Sequence, residues 1–438
     1  MERTPYPWQN ASVEKFVESN SAAFFMDMRL GKSWAAVRWL KGRANALGIL
    51  SPSFLVLTAT TPAPGWVDEL EKVGDQVDWA CGQHKKRVPM IGRCPWTVMT
   101  YGAWKETPEA QVYPWDGVLL DESTIIKSPK ADITKMVHKH LKPKLRGILT
   151  GLPAPQREDE CFMQMLWAYH GRWLKHESYW TWRLEWMAQR GLGWELRLNK
   201  LGALREALRK DAFILTRKEA GVGPEKLRGR RQMELDAPTR KAMNEAERTW
   251  EIPGVETKNK LEVLTWLKRM AGGHLPGKQL PCWKYAYLVD MLKTELKDQQ
   301  VVVWFAFSAE LARAWKALKD AEIQATYIQG SVDGPTRGVR RKLFQTGQRR
   351  VMLATTACAR FGLDLSAADT AIYFSNSHSY ETRRQSEDRI VTVDKTDPLQ
   401  IIDLASLNSI DEDVLGALAA RKSSAEYLMK AVLKRRDH

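Results

Sequence analysis

Two short polar runs, each directly after an apolar stretch, most constrain the fold of this 438-residue chain. The first is a Gly-Lys-Ser run at residues 31–33, which follows the apolar residues 22–26 and opens a stretch of helical character over residues 33–40. The second is an Asp-Glu pair at residues 121–122, which ends the apolar run 117–120. A buried strand that leads through a glycine-containing turn into a helix presents backbone N–H groups to an anion. The two runs therefore predict an α/β fold built around a parallel sheet.

The side chains in these runs are those that nucleoside triphosphate hydrolysis requires. Lys32 can bind the β- and γ-phosphates, and the hydroxyl of Ser33 can bind Mg²⁺. Asp121 can hold the same Mg²⁺, and Glu122 can orient or deprotonate the attacking water. Taken alone, Gly-Lys-Ser also fits a helix N-terminus with a surface lysine, and a full phosphate loop would carry glycine where this chain has Met26. The acidic pair favours the hydrolytic interpretation.

The composition is that of a basic globular protein. Lys and Arg number 67 against 52 Asp and Glu, so the formal net charge is +15 at pH 7. This excess attracts a polyanion, although a basic surface kept for solubility is the alternative. No apolar run approaches the roughly 18–20 residues that span a bilayer, and residues 1–5 contain no apolar signal core. We therefore expect a cytoplasmic protein without a membrane partner.

The alternation of apolar and helical stretches predicts two doubly wound parallel sheets with a helical insertion after the first. Six tryptophans lie between residues 167 and 194, and we interpret them as helical core packing rather than as base-stacking surfaces. The predicted domains are a first α/β lobe (1–156), a Trp-rich helical insertion with a basic connector (157–235), a helical linker (236–280) and a second α/β lobe with a C-terminal helix (281–438).

The ordered series of motifs resembles that of the two-lobed, superfamily two helicase-like motors, and among them the Swi/Snf family of double-stranded DNA translocases. Residues 28–33, Met-Arg-Leu-Gly-Lys-Ser, resemble the family's Met-Gly-Leu-Gly-Lys-Thr. Residues 121–124, Asp-Glu-Ser-Thr, stand where the family has Asp-Glu-Ala-His, and residues 149–153 are close to its Leu-Thr-Gly-Thr-Pro. In the second half, residues 361–365 and 385–389 are similar to Leu-Gly-Ile-Asn-Leu and Gln-Ala-x-Asp-Arg.

The resemblance implies two RecA-like lobes, ATP and Mg²⁺ as cofactors, and double-stranded DNA held mainly through its backbone by a protein that we expect to be a monomer. It implies catalytic roles for Lys32, Asp121, Glu122 and Arg389, and Mg²⁺ binding by Ser33 and Asp121. The residues that it implies for ATP binding are Gln9, Arg29, Leu30, Gly31, Lys32, Ser33, Gly362 and Asp364, with Gln9 on the adenine edge. The residues that it implies for nucleic-acid binding are Thr58, Thr100, Thr150, Arg217, Gly330, Ser331 and Thr355.

The last motif departs from the family's pattern. The second arginine of that motif, usually the arginine finger, falls at Thr392 in this chain. Such a finger stabilises charge on the transferring phosphoryl group and is worth about 10³–10⁵ in rate. Either Arg389, or Arg383 or Arg384 nearby, supplies this charge, or the protein is a weak or inactive ATPase.

The preferred prediction is an ATP-dependent double-stranded DNA translocase or remodelling motor that acts in replication, repair or recombination. A catalytically weak, ATP-gated nucleic-acid-binding protein is the first alternative, and the residue at position 392 motivates it. An RNA-directed helicase is the second alternative, although the helical insertion favours the DNA-directed family. By analogy, the size of the chain fits a compact bacterial or viral enzyme.

Overall fold

A computed structural model of the protein describes residues 4–60, 62–155, 157–190, 193–252, 254–257, 259–361 and 363–420. The chain divides into two compact units after Val222. Each unit contains its own parallel sheet with helices around it, so the predicted α/β fold with two parallel-sheet lobes is confirmed. The predicted C-terminal helix over residues 424–435 lies outside the described residues.

The first unit is built on a seven-stranded sheet in the order β3-β4-β2-β5-β6-β1-β9, in which all neighbouring strands are parallel. The unit also contains an antiparallel hairpin, β7–β8. Its strands are β1 (Ser21–Met26), β2 (Phe54–Thr58), β3 (Val77–Trp79), β4 (Trp96–Thr100), β5 (Gly117–Asp121), β6 (Leu145–Thr150), β7 (Met187–Arg190), β8 (Gly193–Leu196) and β9 (Phe213–Leu215).

Both faces of this sheet are buried, which explains why its central strands are continuous apolar runs rather than alternating ones. In β5, Val118 and Leu120 pack in one apolar cluster, whereas Leu119 packs in the cluster on the opposite face. The surrounding helices are α1 (Pro7–Glu14), α2 (Lys32–Ala46), α3 (Ala63–Lys72), α4 (His84–Arg87), α5 (Tyr101–Lys105), α6 (Pro108–Val112), α7 (Asp132–His140), α8 (Cys161–Ala168), α9 (Tyr179–Trp186) and α10 (Leu198–Asp211).

The Trp-rich segment packs onto one face of the first sheet. Four of its six tryptophans are buried there, and Trp182 stacks on Phe162 with ring centroids 4.3 Å apart. Trp180 is 48% exposed. The sequence predicted a helical segment, but the structure contains the hairpin β7–β8 between α9 and α10. The interpretation as core packing is therefore confirmed for the four buried rings.

The second unit is built on a six-stranded sheet in the order β10-β17-β16-β13-β15-β14, again with all neighbours parallel. Its strands are β10 (Lys226–Met233), β11 (His274–Leu275), β12 (Lys278–Gln279), β13 (Val301–Phe305), β14 (Ala325–Ile328), β15 (Val351–Thr355), β16 (Thr370–Tyr373) and β17 (Leu399–Ser406). Its helices are α11 (Ala237–Thr249), α12 (Lys260–Ala271), α13 (Trp283–Lys293), α14 (Ser308–Asp320), α15 (Gly334–Gln345), α16 (Tyr380–Glu387) and α17 (Ile410–Ala419).

The predicted domain boundaries differ from those along which the structure divides. The predicted connector is split, because β9 adds to the first sheet while β10 pairs along its whole length with β17 in the second sheet. The predicted linker is not separate either, since α11 and α12 share one apolar cluster with α17. Residues 223–280 therefore belong to the second unit. The described part of the chain contains no helix that could span a membrane.

Candidate functional site

The loop between β1 and α2 has the geometry of an anion-binding turn. Arg29 and Gly31 both have left-handed backbone, with φ values of 71° and 79°. Gly31 is the N-cap of α2 and has no side chain with which to cap the first N–H groups of this helix. Lys32 and Ser33 are its first two residues and are half-buried. Unsatisfied N–H groups at a helix N-terminus favour a bound anion such as phosphate.

The N-terminal helix α1 packs directly against this loop. The Gln9 side chain accepts a hydrogen bond from the Tyr6 N–H at 2.8 Å and donates one to the Gly31 carbonyl at 3.5 Å. The indole of Trp8 donates to the Leu30 carbonyl at 3.1 Å. The structure thus brings Gln9 and the predicted phosphate-binding residues together.

Asp121 is held at the end of β5 by donors from neighbouring elements. Its Oδ2 accepts hydrogen bonds from the Thr58 hydroxyl and from the Trp66 indole, each at 2.8 Å. Both bonds use the same oxygen, so they orient the carboxylate without occupying Oδ1. The Tyr101 hydroxyl donates to the Asp121 carbonyl at 2.9 Å. Burial, followed by the charges of Asp121 and Glu122, raises the pKa of Tyr101 well above 10, so this hydroxyl remains a neutral donor.

The sheet places the loop and the acidic pair at the same edge. Strands β5 and β1 are parallel and are separated by β6 alone, so their carboxyl ends are about 10 Å apart. Glu122 follows Asp121 with a left-handed φ of 47°, which is uncommon for a residue with a Cβ and is often found at functional sites. The hydroxyl of Ser33 and the carboxylate of Asp121 are the hard oxygen ligands that suit Mg²⁺. These residues fit a site for Mg²⁺ and a nucleoside triphosphate.

Arg217 is buried beside the predicted phosphate loop. The Asp27 N–H donates to the Leu215 carbonyl of β9 at 2.9 Å, and the Asp27 carboxylate accepts from the Arg217 N–H at 3.0 Å. The Arg217 guanidinium donates to the Met28 carbonyl at 3.1 Å. This residue, which the sequence predicted to bind DNA, therefore contacts the loop in the first unit.

The other residues predicted to bind nucleic acid differ in their hydrogen-bond partners and in their burial. The Thr100 hydroxyl accepts from the Ala103 N–H and caps α5, and the buried Thr150 hydroxyl accepts from the Leu152 N–H at 3.1 Å. The Thr58 hydroxyl donates to Asp121, as described above.

In the second unit, Gly330 and Ser331 are exposed after β14, whereas Thr355 is buried at the end of β15. The Ser331 hydroxyl accepts a hydrogen bond from the Gln329 amide at 3.0 Å, and the Thr355 hydroxyl lies 3.2 Å from the Cys358 sulfur. The predicted DNA contact by these residues stays a prediction.

The arginines near the last motif differ in what they contact. Arg383 is buried and donates to Glu387, Asn376 and Asp403, and its guanidinium stacks 3.4 Å from the centre of the Tyr373 ring. Burial alone would lower the pKa of Arg383, but the charges of these neighbours raise it. The Arg383 side chain therefore stabilises the interior of the second unit.

The other residues of this region lie nearer the surface. Arg384 is within 3.4 Å of the Asp388 carboxylate. Arg389 follows α16 with a half-buried side chain, and its carbonyl accepts from the Leu365 N–H at 3.1 Å. Asp364 is half-buried and accepts from the Ser366 N–H at 3.2 Å, and Thr392 is half-buried. Gly362, predicted to bind the nucleotide, lies outside the described residues.

Ion pairs connect strand β10 to helix α16. Lys226 and Arg228 donate to the buried Glu387, and Lys226 also donates to Asp388 at 3.1 Å. Burial would raise the pKa of Glu387, but Arg228, Lys226 and Arg383 together hold it well below its ordinary value. The carboxylate therefore stays ionised and holds the first strand of the second unit on α16.

Sequence reasoning missed part of this site. Trp66 and Tyr101 are not among the residues predicted for the site, yet both donate hydrogen bonds to Asp121, the residue that is predicted to hold Mg²⁺. No local spacing relates them to Asp121. A signal did exist for Asp27, since it is a carboxylate directly after a buried strand, as Asp121 is.

The protein has two α/β units, each built on a parallel sheet. The first unit carries the predicted phosphate loop and a strand that ends in two acidic residues. Residues 283–393 match the helicase conserved C-terminal domain. A stretch of 132 residues is 26% identical to the ATP-dependent helicase fft1 of Schizosaccharomyces pombe, and it covers 30% of this chain and 14% of that helicase. These two matches show that part of the chain is similar to helicases.

Two solved structures from Sulfolobus solfataricus are also similar to this chain. The SWI2/SNF2 ATPase core in complex with dsDNA is 18% identical, with 98% of this chain and 97% of that chain covered and a TM-score of 0.46. The SWI2/SNF2 ATPase core domain is 18% identical, with 97% and 90% covered and a TM-score of 0.41.

Proposed function

We propose that this protein is a DNA-stimulated ATPase that moves along double-stranded DNA, with replication, repair or recombination as its setting. The observation that carries the proposal is the arrangement at one edge of the first sheet. There, residues 31–33 follow β1 and the carboxylates at 121–122 end β5, and a single strand, β6, lies between β1 and β5. The helicase domain match in the second unit supports the same class of activity.

The residues of the first unit have separate roles in this proposal. The N–H groups that open α2 and the Lys32 ammonium bind the phosphates, while Ser33 and Asp121 hold Mg²⁺. Bound Mg²⁺ supplies positive charge that stabilises the transferring phosphoryl group. Glu122 orients the attacking water or accepts its proton, and Arg389 is the predicted source of further positive charge.

Double-stranded DNA is the proposed polyanion. The net charge of +15 supports an electrostatic contribution to binding that does not depend on base sequence. Contacts to the phosphate backbone would let a motor advance without reading bases. We therefore expect the affinity for duplex DNA to fall steeply as the salt concentration rises.

A second candidate function is an ATP-gated nucleic-acid-binding protein with weak turnover. The observation that favours it is that Arg383 is held in the core by buried partners, while Thr392 stands where the family has its second arginine. An RNA-directed helicase is the third candidate, and competition between duplex DNA and duplex RNA of equal length separates it from the first.

The test is ATP hydrolysis with and without linear duplex DNA, in the wild type and in Glu122→Gln. Glu71→Gln, which neutralises an exposed carboxylate in α3, is the matched control. The proposal expects strong stimulation by DNA that Glu122→Gln loses and Glu71→Gln keeps. Bound ATP and DNA without hydrolysis in the wild type would favour the second candidate, and hydrolysis that DNA leaves unchanged would contradict the proposal.

A further inference from the structure

Three hydrogen bonds join the predicted phosphate loop to the last residue of β9 and to the chain segment that follows it. The Asp27 N–H donates to the Leu215 carbonyl at 2.9 Å. The Arg217 N–H donates to the Asp27 carboxylate at 3.0 Å, and the Arg217 guanidinium donates to the Met28 carbonyl at 3.1 Å. All of these groups belong to the first unit, and Arg217 is only 8% exposed.

The loop requires support because its backbone conformation is unfavourable for an ordinary residue. Arg29, directly after Met28, has a φ of 71°, and a residue with a Cβ rarely adopts this region because the Cβ approaches the following carbonyl. Such conformations persist where surrounding contacts hold them. The bonds to Asp27 and Met28 restrain the chain directly before this residue.

Arg217 is itself held by a turn of the same segment. The Glu219 carboxylate accepts from the N–H and the hydroxyl of Thr216, each at 2.8 Å, and these bonds lower the pKa of Glu219. The Thr216 and Arg217 carbonyls accept from the N–H groups of Ala220 and Val222, each at 3.0 Å. Because this turn fixes the Arg217 backbone, the guanidinium is presented to the loop before any ligand binds.

We propose that Arg217 is a positioning residue for the phosphate loop, rather than the DNA contact that the sequence predicted. The inference rests on the proposed function, since it concerns the loop that would bind the nucleotide. The turn ends at Val222, which is the last residue of the first unit. Arg217 therefore connects the loop with the chain segment that leaves this unit.

The test compares Arg217→Ala and Arg217→Lys with Lys218→Ala. Lys218 is the adjacent cation and is exposed, so its removal changes the net charge equally without touching the loop. Binding of a fluorescent ADP analogue with Mg²⁺ is titrated for each variant, and binding to a labelled duplex DNA is measured over a range of salt concentrations. Thermal unfolding midpoints serve as the control for folding.

Arg217→Ala is expected to weaken nucleotide binding about ten-fold, since the part-buried hydrogen bond from the guanidinium to the Met28 carbonyl is lost. Arg217→Lys is expected to recover part of this loss, because an ammonium can also donate to the Met28 carbonyl. Lys218→Ala should bind nucleotide as the wild type does. If Arg217→Ala does not fold, a weaker nucleotide affinity of Arg217→Lys at an unchanged unfolding midpoint supports the inference.

Wild-type nucleotide affinity in both Arg217 variants would overturn it. If these variants keep wild-type nucleotide affinity but bind duplex DNA more weakly, with the salt slope reduced by about one, Arg217 is a contact to the DNA phosphates instead. Failure of the wild type to bind the nucleotide would overturn the proposed function, and this inference with it. Equal binding by the wild type and the variants would overturn only the role of Arg217.

Discussion

The side-chain amide of Gln9 occupies the space that a side chain at position 31 would need. A Cβ placed on Gly31 would lie 1.9 Å from Nε2 of Gln9 and 3.0 Å from its Cδ. The left-handed φ of 79° at Gly31 adds a second requirement for glycine. The predicted adenine-binding residue and the predicted phosphate loop are therefore in direct contact, and the shape of one limits the shape of the other.

Gly31→Ala is expected to weaken nucleotide binding at least ten-fold and to destabilise the first unit by about 1–2 kcal/mol, because the new methyl group displaces Gln9 and strains the backbone. Gly42→Ala is the matched control, since a Cβ there meets nothing within 4 Å in the interior of α2. That change should stabilise the unit by about 0.5–1 kcal/mol. Nucleotide titration and urea unfolding measure both effects, and wild-type binding by Gly31→Ala would contradict the prediction.

Trp66→Phe is expected to lower ATP turnover about ten-fold and to raise the Mg²⁺ concentration needed for it. The substitution removes one of the two donors to the Asp121 carboxylate, and a hydrogen bond to a charged group contributes about 1.5–3 kcal/mol. Steady-state hydrolysis over a Mg²⁺ titration measures the effect.

Trp104→Phe is the control for Trp66→Phe, because among the described residues the buried Trp104 indole nitrogen has no hydrogen-bond partner. Its turnover and Mg²⁺ dependence should equal those of the wild type. Equal losses in the two variants would show that loss of ring volume, and not of the donor to Asp121, is responsible.

Arg383→Ala and Arg389→Ala are expected to fail in different ways. Arg383→Ala leaves Glu387 and Asp403 without their buried partner, so we expect the second unit to lose about 3–5 kcal/mol of stability. Arg389→Ala should fold normally and lose most DNA-stimulated hydrolysis, as removal of a transition-state arginine does. Thermal unfolding and ATP hydrolysis separate the two outcomes. A stable Arg383→Ala protein without turnover, beside an active Arg389→Ala protein, would reverse the assignment.

The stability of the second unit is expected to fall as pH rises from about 4.5 to 7, because of Glu310. This carboxyl is fully buried on α14, accepts a hydrogen bond from the Ser375 hydroxyl, and has no partner for Oε1 among the described residues. Burial raises its pKa to about 7, with Ser375 and Lys284 opposing the shift and Asp411 adding to it. In this window the folded state keeps a proton that the unfolded state releases near its ordinary pKa of about 4.3.

Glu310→Gln should therefore remove this part of the pH dependence and stabilise the protein at pH 8, by an amount of the order of 3 kcal/mol. Urea unfolding at pH 5.5 and pH 8.0 measures the difference. Glu322→Gln, which changes an exposed carboxylate of the same unit, is the control. An unchanged pH dependence in Glu310→Gln would contradict the prediction.

Much of the fold could be predicted because its signals are local. The strands β1 and β5 are continuous apolar runs, and the polar residues that follow them are consecutive in the sequence. The position of β10 could not be predicted in this way. Its eight residues pair with β17, more than 160 positions away, and only this pairing assigns the basic segment to the second unit.

The sequence by itself determined the α/β class and the two parallel sheets, and it predicted which residues form the phosphate loop and the acidic strand end. Only the tertiary structure decided that Trp66 and Tyr101 donate to Asp121, that Arg217 donates to the Met28 carbonyl, and that Arg383 is buried among its ion-pair partners. The physical reason is the range of the interactions. Apolar periodicity and turn chemistry act between neighbours in the chain, whereas the partner of a buried polar group is whichever group the fold brings within hydrogen-bonding distance.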